Sequence, residues 1–240
     1  MMDKSHEILI REKIRYNLKA EISTKEKKLL KRLCPVQKII KRQIMQDVYL
    51  DLSYNVLIPR YETEEVILEC YKHINTTSNV LDLGSGSGFI GLSIKKNVGC
   101  NVTLVDSSVQ AIKQTKKNAK INNLEVKVIK SNWFSKIKNQ QFDLIVSNPP
   151  YLDLEKTNEI YSPSLKWEPK KALFAKNNGF EHYETILSSA KNYLKPTGKL
   201  IFEIDPYIAQ KLLKLYPNIT LKEDINKKLR IAILTYNDLN

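Results

Sequence analysis

Apolar residues along this chain recur with two different periods. Short strand-like stretches occupy residues 79–83, 101–105, 124–129, 142–147 and 199–204, and the apolar run at 142–147 is the kind that a strand buried in a parallel sheet shows. Between them, apolar positions fall three and four apart. Val66, Ile67, Cys70 and Tyr71 form one such stripe, and Tyr183, Ile186, Leu187, Ala190 and Leu194 another. A helix also opens at Phe89, and a second runs from a cap at Ser107 or Ser108 to about residue 121. Pro206 opens a last helix, and two further strands near residues 218–221 and 230–236 complete the pattern. Alternating strands and helices that end in a β-hairpin predict an α/β fold. The sheet is doubly wound, seven-stranded and Rossmann-like, with its last strand antiparallel.

The pattern before residue 61 is different. Residues 1–33 read as two basic helices, the second opened by the capping-box sequence Ser23-Thr24-Lys25-Glu26. Pro35 interrupts them, and Val36, Ile39, Ile40 and Ile44 predict another helix. Val48, Leu50 and Leu52, then Val56 and Ile58, alternate about Ser53-Tyr54-Asn55 and predict a β-hairpin. The expected organisation is a reduced helical segment over 1–45, a hairpin linker over 46–60 and a catalytic domain over 61–240. Basic helices read first as a solvated face and second as a dock for a partner. Thr63 is placed to cap a helix with Glu64 and Glu65 in its first turn. Residues 152–178, with Pro163 and Pro169, show no apolar period; a loop of that length suits a lid or substrate cradle.

Charge narrows the partners. The chain of 240 residues carries a formal charge of +13, but only six of its 39 basic residues are arginine. Arginine supplies bidentate contacts to phosphate and guanine, so its scarcity argues against a sequence-specific nucleic-acid reader. Weak proximity to RNA or the ribosome stays compatible with a lysine-rich surface. Three cysteines without CxxC spacing predict free thiols in a reducing compartment, and three scattered histidines predict no metal site. No signal-like or span-length apolar run appears, so the expected location is cytoplasmic, with no membrane partner.

The candidate chemistry lies at strand ends. Ser147-Asn148-Pro149-Pro150-Tyr151 closes the 142–147 run, and two prolines there stop the strand and stiffen the loop. With no N–H at either proline, the loop offers mainly carbonyl oxygens and the Asn148 side chain, acceptors suited to a group with two N–H bonds. A primary amide and an exocyclic base amine both qualify. Either is a poor nucleophile, so methylation needs orientation against a sulfonium methyl rather than a strong base. Tyr151 can present a ring face to that partly cationic methyl. The competing reading has Pro149 and Pro150 only ending a strand, with Asn148 capping a turn. Gly84-Ser85-Gly86-Ser87-Gly88 makes a tight turn into a helix, with backbone N–H groups open to a ligand. Gly86, Gly88 and Gly91 also satisfy the dinucleotide spacing GxGxxG, which leaves a dehydrogenase open. Asp82 is placed to meet the cationic amino group of S-adenosylmethionine, and Asp106 to accept from ribose hydroxyls. Asn132 and Trp133 can read adenine, with Trp133 as plain core the alternative.

Together these stretches resemble the HemK/PrmC family of release-factor glutamine methyltransferases. The resemblance runs from about Val36 onward and rests on Ile58-Pro59-Arg60-Tyr61-Glu62-Thr63-Glu64, Asp82-Leu83-Gly84-Ser85-Gly86-Ser87-Gly88, Ser131-Asn132-Trp133-Phe134, Ser147-Asn148-Pro149-Pro150-Tyr151 and Glu168-Pro169-Lys170-Lys171-Ala172-Leu173. It implies a methyltransferase fold with S-adenosylmethionine as cofactor and a peptide chain release factor as partner. The implied reaction is N5-methylation of the glutamine in a Gly-Gly-Gln loop. In the family's scheme Asn148 and the Pro149 carbonyl hold the glutamine amide, with Pro150 and Tyr151 in the same loop. Arg60 and Glu168 join the substrate side. Asp82, Gly84, Ser85, Gly86, Ser87, Gly88, Asp106, Asn132, Trp133 and Asn148 surround the cofactor. Asn132 and Asp205 depart from the family's usual aspartate and glycine, and the helical segment before Val36 is shorter than the family's. Three rivals remain: a methyltransferase for adenine N6 or guanine N2 in DNA or rRNA, a binding module without turnover, and a dehydrogenase on the GxGxxG spacing.

Overall fold

The basic amphipathic stretches at the N-terminus fold as α1 (Lys4–Arg15) and α2 (Thr24–Lys31) in the computed structural model of the chain, which describes residues 4–156 and 162–239. Ser23 caps α2 as expected. Its hydroxyl accepts from Glu26 N while Glu26 Oε2 accepts from Ser23 N at 2.8 Å, a reciprocal cap worth about 1 kcal/mol. Lys13, buried beneath, pairs with Glu26 at 2.6 Å and so ties α1 to that cap. The short α3 (Val36–Ile40) packs with α1 and α2 around Leu9, Tyr16, Leu30 and Ile40.

Here the structure corrects two expectations. The helix that was to reach Ile44 ends at Lys41, whose φ is +56°. The hairpin lies one strand earlier than expected: β1 (Arg42–Met45) pairs antiparallel with β2 (Val48–Asp51). Gln46 and Asp47 both hold positive φ, the requirement of a tight two-residue turn whose twist matches its strands. The expected division at 45/46 therefore falls inside this turn. The alternation of Leu52, Val56 and Ile58 is real, but these residues pack on Ala111 of a helix rather than on a partner strand.

The remaining elements alternate. They are α4 (Glu62–Tyr71), β3 (Asn79–Leu83), α5 (Phe89–Val98), β4 (Asn101–Asp106), α6 (Val109–Ile121), β5 (Lys127–Lys130) and β6 (Phe142–Ser147), then a small parallel pair β7 (Leu152–Asp153) and β8 (Phe174–Ala175). After them come α7 (Glu181–Tyr193), β9 (Leu194–Glu203), α8 (Pro206–Leu215), β10 (Thr220–Glu223) and β11 (Leu229–Thr235). The seven-stranded sheet runs β10-β11-β9-β6-β3-β4-β5, with β11 antiparallel to both neighbours. Period two assigns the faces: Leu81 and Leu83 join the core under α7 and α8, while Val80, Leu104, Leu144 and Val146 join the core under α4 and α5. Asp205 caps α8 by accepting from Ile208 N at 2.8 Å, which explains how an aspartate serves at that position. Within the stretch expected to be irregular, β7, β8 and three one-turn helices give order; residues 157–161 lie outside the described residues.

One device fixes the N-terminal part to the sheet. Gln114, Asn118 and Asn122 sit one helical turn apart on α6, facing the open edge of β2. Asn122 accepts from Tyr49 N at 2.8 Å and donates to Tyr49 O at 2.7 Å. Asn118 accepts from Asp51 N and donates to Asp51 O, and Gln114 accepts from Tyr54 N. Side-chain amides thus replace a neighbouring strand and close the edge. Asn118 also donates to Ser87 O at 2.8 Å, which links the ladder to the glycine turn. Among the described residues, no helix is long and apolar enough to cross a membrane, and no cluster of three metal-ligating side chains occurs.

Candidate active site

β3 lies between β4 and β6, so the connections from β3 and β6 leave the sheet in opposite directions and open a crevice at their carboxyl ends. A cavity of about 890 Å³ fills that crevice. The glycine turn forms its floor. Gly84 and Ser85 N–H groups both donate to Val105 O, and Gly88 N donates to Ser85 O, closing the turn. Gly84, Gly86 and Gly88 have φ of +76°, +56° and +86°, a conformation that L side chains rarely adopt. A side chain at Gly84 would also touch the Trp133 ring, so glycine there keeps the space beside the indole clear.

Asp106, at the end of β4, accepts from Gly86 N at 2.9 Å and from Ser108 N at 2.8 Å, one bond on each carboxylate oxygen. Burial pushes its carboxyl above the usual range, against the pull of those N–H donors. Both oxygens keep lone pairs for a ligand in the cavity. Trp133 lines the opposite side with a φ of +46°, unusual for an aromatic residue. Ser131 holds that turn: its hydroxyl donates to Trp133 O at 2.9 Å and accepts from Lys136 N. Asn132 is exposed at the cavity edge.

The acceptor end lies across the cavity. Ser147 donates to Leu83 O at 2.7 Å, locking β6 to β3 immediately before the proline loop. Asn148 Nδ2 donates to Glu203 Oε2 at 2.8 Å and to Thr63 Oγ1 at 3.3 Å. Thr63 in turn donates to Glu203 Oε2 at 2.6 Å. With its NH2 committed to the protein, the Asn148 amide has its carbonyl end left for the cavity that the residue lines. Arg60 lines the same cavity and pairs with Glu168 at 2.6 Å, while Glu168 also accepts from Ile58 N at 2.7 Å.

Curated relatives decide what such an arrangement belongs to. The chain is 38% identical over 199 residues to the release factor glutamine methyltransferase of Streptococcus pneumoniae (strain ATCC BAA-255 / R6), covering 79% of this chain and 71% of that protein. This chain belongs to the release factor glutamine methyltransferase family. It is also 36% identical over 224 residues to the bifunctional methyltransferase of Rickettsia prowazekii (strain Madrid E), matching 83% of this chain but spanning only 43% of that protein. A family model for the methyltransferase small domain matches residues 62–175. Among solved structures, the ribosomal protein L11 methylase from Lactobacillus delbrueckii subsp. bulgaricus has a TM-score of 0.58 at 20% identity, over 78% of this chain and 83% of that one, a likeness of fold.

Five residues singled out from the family's motifs sit elsewhere than expected. Asp82 does not line the cavity. It points to the α5 side of the sheet, is 1% exposed, and accepts from Gly91 N at 2.9 Å. The N-cap of α5 is Gly88, which has no side chain, so Asp82 satisfies a first-turn N–H from below. Gly88 likewise lies off the cavity; a Cβ there would press on Leu92 and Thr115. Pro149 is buried within the loop, and only Asn148 and Pro150 of the Asn-Pro-Pro-Tyr loop reach the cavity. Tyr151 packs against the α7/α8 core and does not line the cavity, with its hydroxyl pushed above its usual range by burial and then by the Glu203 charge. Glu168 is buried against Arg60 and Ile58 N and does not line the cavity.

Sequence reasoning missed several residues at or just behind the cavity. Thr63 is not a cap; it lies inside the first turn of α4 with its hydroxyl on Glu203. His182, read as surface or packing, lines the cavity 5.3 Å from the Trp133 ring, and burial lowers its pKa. Glu203 ends the apolar run of β9, and an acid in that position was the available signal.

Proposed function

We propose that this chain transfers a methyl group from S-adenosylmethionine to the side-chain amide nitrogen, N5, of the glutamine in a Gly-Gly-Gln loop of a peptide chain release factor. The observation that carries this reading is the orientation of Asn148, whose NH2 faces Thr63 and Glu203 and whose carbonyl is left for the cavity. The residues present fit the cofactor. Asp106 offers carboxylate lone pairs for a ribose diol, the glycine turn leaves room beside Trp133, and about 890 Å³ suffices for a nucleoside, its amino-acid arm and an entering side chain. S-adenosylmethionine, when bound, supplies an electrophilic methyl group on a sulfonium.

The chain's own residues supply orientation. A glutamine amide has its nitrogen lone pair delocalised into the carbonyl. The Asn148 carbonyl accepts from one of its two N–H bonds, holds it edge-on and favours charge on nitrogen as the bond to carbon forms. The amide proton leaves to water afterwards, so no strong base is needed. Holding the reacting nitrogen in place accounts for most of the rate in such a site. Arg60, fixed by Glu168, stands at the mouth and positions the backbone around the glutamine. The lysine-rich helices α1–α3 serve as the docking part, and the reaction belongs in the cytoplasm, where release factors act.

A labelled-methyl assay offering release factor, rRNA and DNA side by side tests this. Label in the Gly-Gly-Gln peptide alone, lost in Asn148→Ala with cofactor affinity retained, is the expected result. Incorporation only into nucleic acid overturns it in favour of an exocyclic-amine methyltransferase, since such an amine presents the same two N–H bonds.

A further inference from the structure

A second cavity, of about 240 Å³, lies beside the first. Pro59 and Arg60 line both, so the linker before α4 is their common wall. The other walls come from distant parts of the chain: Gln37 on α3, Gln43 on β1, and Ser164 and Leu165 in the one-turn helix Pro163–Trp167. At that size the cavity falls below the roughly 300–1,000 Å³ of a self-contained small-molecule site. It suits a piece of chain that continues from an occupant of the larger cavity.

Gln43 makes this space chemically specific. It is 3% exposed, and its Nε2 donates to Pro59 O at 3.3 Å. Oε1, at the other end of the same amide, is buried and has no hydrogen-bond partner among the described residues. Buried acceptors in that state are rare in folded chains, because each has given up its bonds to water. Exchanging the two ends of the amide is no remedy, since Oε1 would then face Pro59 O, two acceptors with no proton between them. The missing partner is an N–H from outside the described residues. Arg60 is the complement: Glu168 takes an N–H of its Nη2 at 2.6 Å, and a guanidinium carries five such donors. An acceptor for an N–H and donors for a carbonyl oxygen together match a peptide unit. Charge points the same way. Glu62 and Glu168 line the cavity against Arg60 alone, a balance that repels a phosphate and admits a neutral amide.

We propose that the second cavity is the subsite for the peptide main chain beside the acceptor glutamine, with Gln43 Oε1 accepting a peptide N–H and Arg60 donating to a peptide carbonyl. This rests on the reading of the larger cavity as a glutamine methyltransferase site, and it accounts for glycines before the glutamine. A glycine has no Cβ, so its backbone can come within hydrogen-bond distance of an amide set in a narrow wall. Gln43 is then a specificity-determining residue that touches no reacting atom. Its bond to the substrate is the same before and during methyl transfer, so it lowers KM and leaves kcat alone.

The test is a double-mutant cycle between Gln43→Leu and Gly-Gly-Gln peptides N-methylated at each of the three residues in turn, which removes one peptide N–H at a time. Gln43→Leu is expected to raise KM for release factor about five- to tenfold, with kcat within twofold and cofactor affinity within threefold of the wild type. One N-methylated peptide is expected to show the same loss on the wild type and no further loss on Gln43→Leu. Additive losses at all three positions, or a Gln43→Leu enzyme with wild-type KM, overturn the proposal. A second measurement uses the wild type alone and needs no turnover. The Gln43 side-chain NH2 signals, assigned by sequential NMR experiments, are expected to shift as the unmodified peptide is titrated into the S-adenosylhomocysteine complex. Signals that stay in place overturn the subsite, even where the release factor is methylated. If they shift while neither peptide nor release factor is methylated, the functional reading fails and the peptide subsite stands.

Discussion

Gly179, two residues before α7, lies against the Tyr151 backbone at the end of the proline loop, and replacing it with alanine tests how that loop is held. Gly179 has a φ of +84°, and a Cβ built there would stand 2.0 Å from the Tyr151 carbonyl oxygen and 2.9 Å from its carbon. An ordinary carbon–oxygen contact is about 3.3 Å or more. Either Tyr151 or Gly179 must therefore move by roughly 1 Å. The left-handed conformation costs alanine about 1–2 kcal/mol, and forcing atoms into a packed site adds about 1–3 kcal/mol. A loss of about 2–5 kcal/mol corresponds to a fall in Tm of about 4–20 °C for a domain of this size. Gly99→Ala separates the two contributions. Gly99 holds φ +81° with nothing within 4 Å of a built Cβ, so it carries the conformational cost without the collision. Thermal denaturation of both variants is expected to place Gly179→Ala several degrees below Gly99→Ala. Methyl-transfer kinetics should show a fall of about 100-fold for Gly179→Ala, since Tyr151 is one residue from Pro150 and an ångström matters at a reacting centre. Gly99→Ala should retain wild-type kcat. Equal melting temperatures for the two variants, or full activity in Gly179→Ala, would refute the idea that the glycine exists to admit the Tyr151 carbonyl.

Other outcomes follow from the same geometry. Asp106→Ala removes the acceptor for Gly86 N and Ser108 N and a ligand-facing carboxylate; calorimetry should show cofactor affinity weakened by about 1–3 kcal/mol, and unchanged affinity would remove Asp106 from the cofactor site. Glu168→Gln keeps the acceptor for Ile58 N but discharges the partner of Arg60; denaturant melts should show a loss of about 1.5–3 kcal/mol, with KM for release factor raised and cofactor affinity untouched. Asp82 and Glu203 both have carboxyls raised to about 7 by burial, above their ordinary range in an unfolded chain. For such groups the stabilising contribution is complete below the ordinary carboxylate range and disappears as pH rises through about 7. Glu203→Gln should therefore gain stability relative to the wild type at pH 8 and much less at pH 5, read as the difference between their urea midpoints; a gain equal at both pH values would contradict the raised value.

How much of this was legible beforehand depends on how local each cause is. The strands at 79–83, 101–106 and 142–147 and the turn between Leu83 and Phe89 follow from short-range chemistry, namely apolar runs and glycines that permit positive φ. The hairpin was misplaced because Leu52, Val56 and Ile58 alternate as a strand would, while the surface that buries them is Ala111 on α6, more than 50 residues away in sequence. Gln46-Asp47 carried the turn without the usual Asn-Gly signature. Asp82 was sent to the cavity on the strength of its neighbours in sequence. Strand parity argues otherwise, because residue 82 shares its face with Val80, toward α5, and not with Leu81 and Leu83. Thr63, His182 and Glu203 were missed since their roles exist only once α4, α7 and β9 converge on the proline loop, which no single window of sequence contains.

The two buried acids show what the sheet contributes beyond a frame. Asp82, next to last in β3, and Glu203, last in β9, lie on the same face, the one covered by α4 and α5, and each binds a donor from one of those helices. Asp82 holds the first turn of α5 and so the back of the glycine turn; Glu203 holds Thr63 on α4 and so the Asn148 amide. Neither acid touches the cavity, and burial makes the charged form of each costly. A leucine at either site would fit the apolar run better and leave a backbone N–H or an Asn148 NH2 without an acceptor. The acids are explained by the orientation they impose on groups that do face the cavity, one at the glycine turn and one at Asn148. An acid at the end of an apolar strand, one residue before a turn, is then a sign to look across the sheet for the helix that it holds.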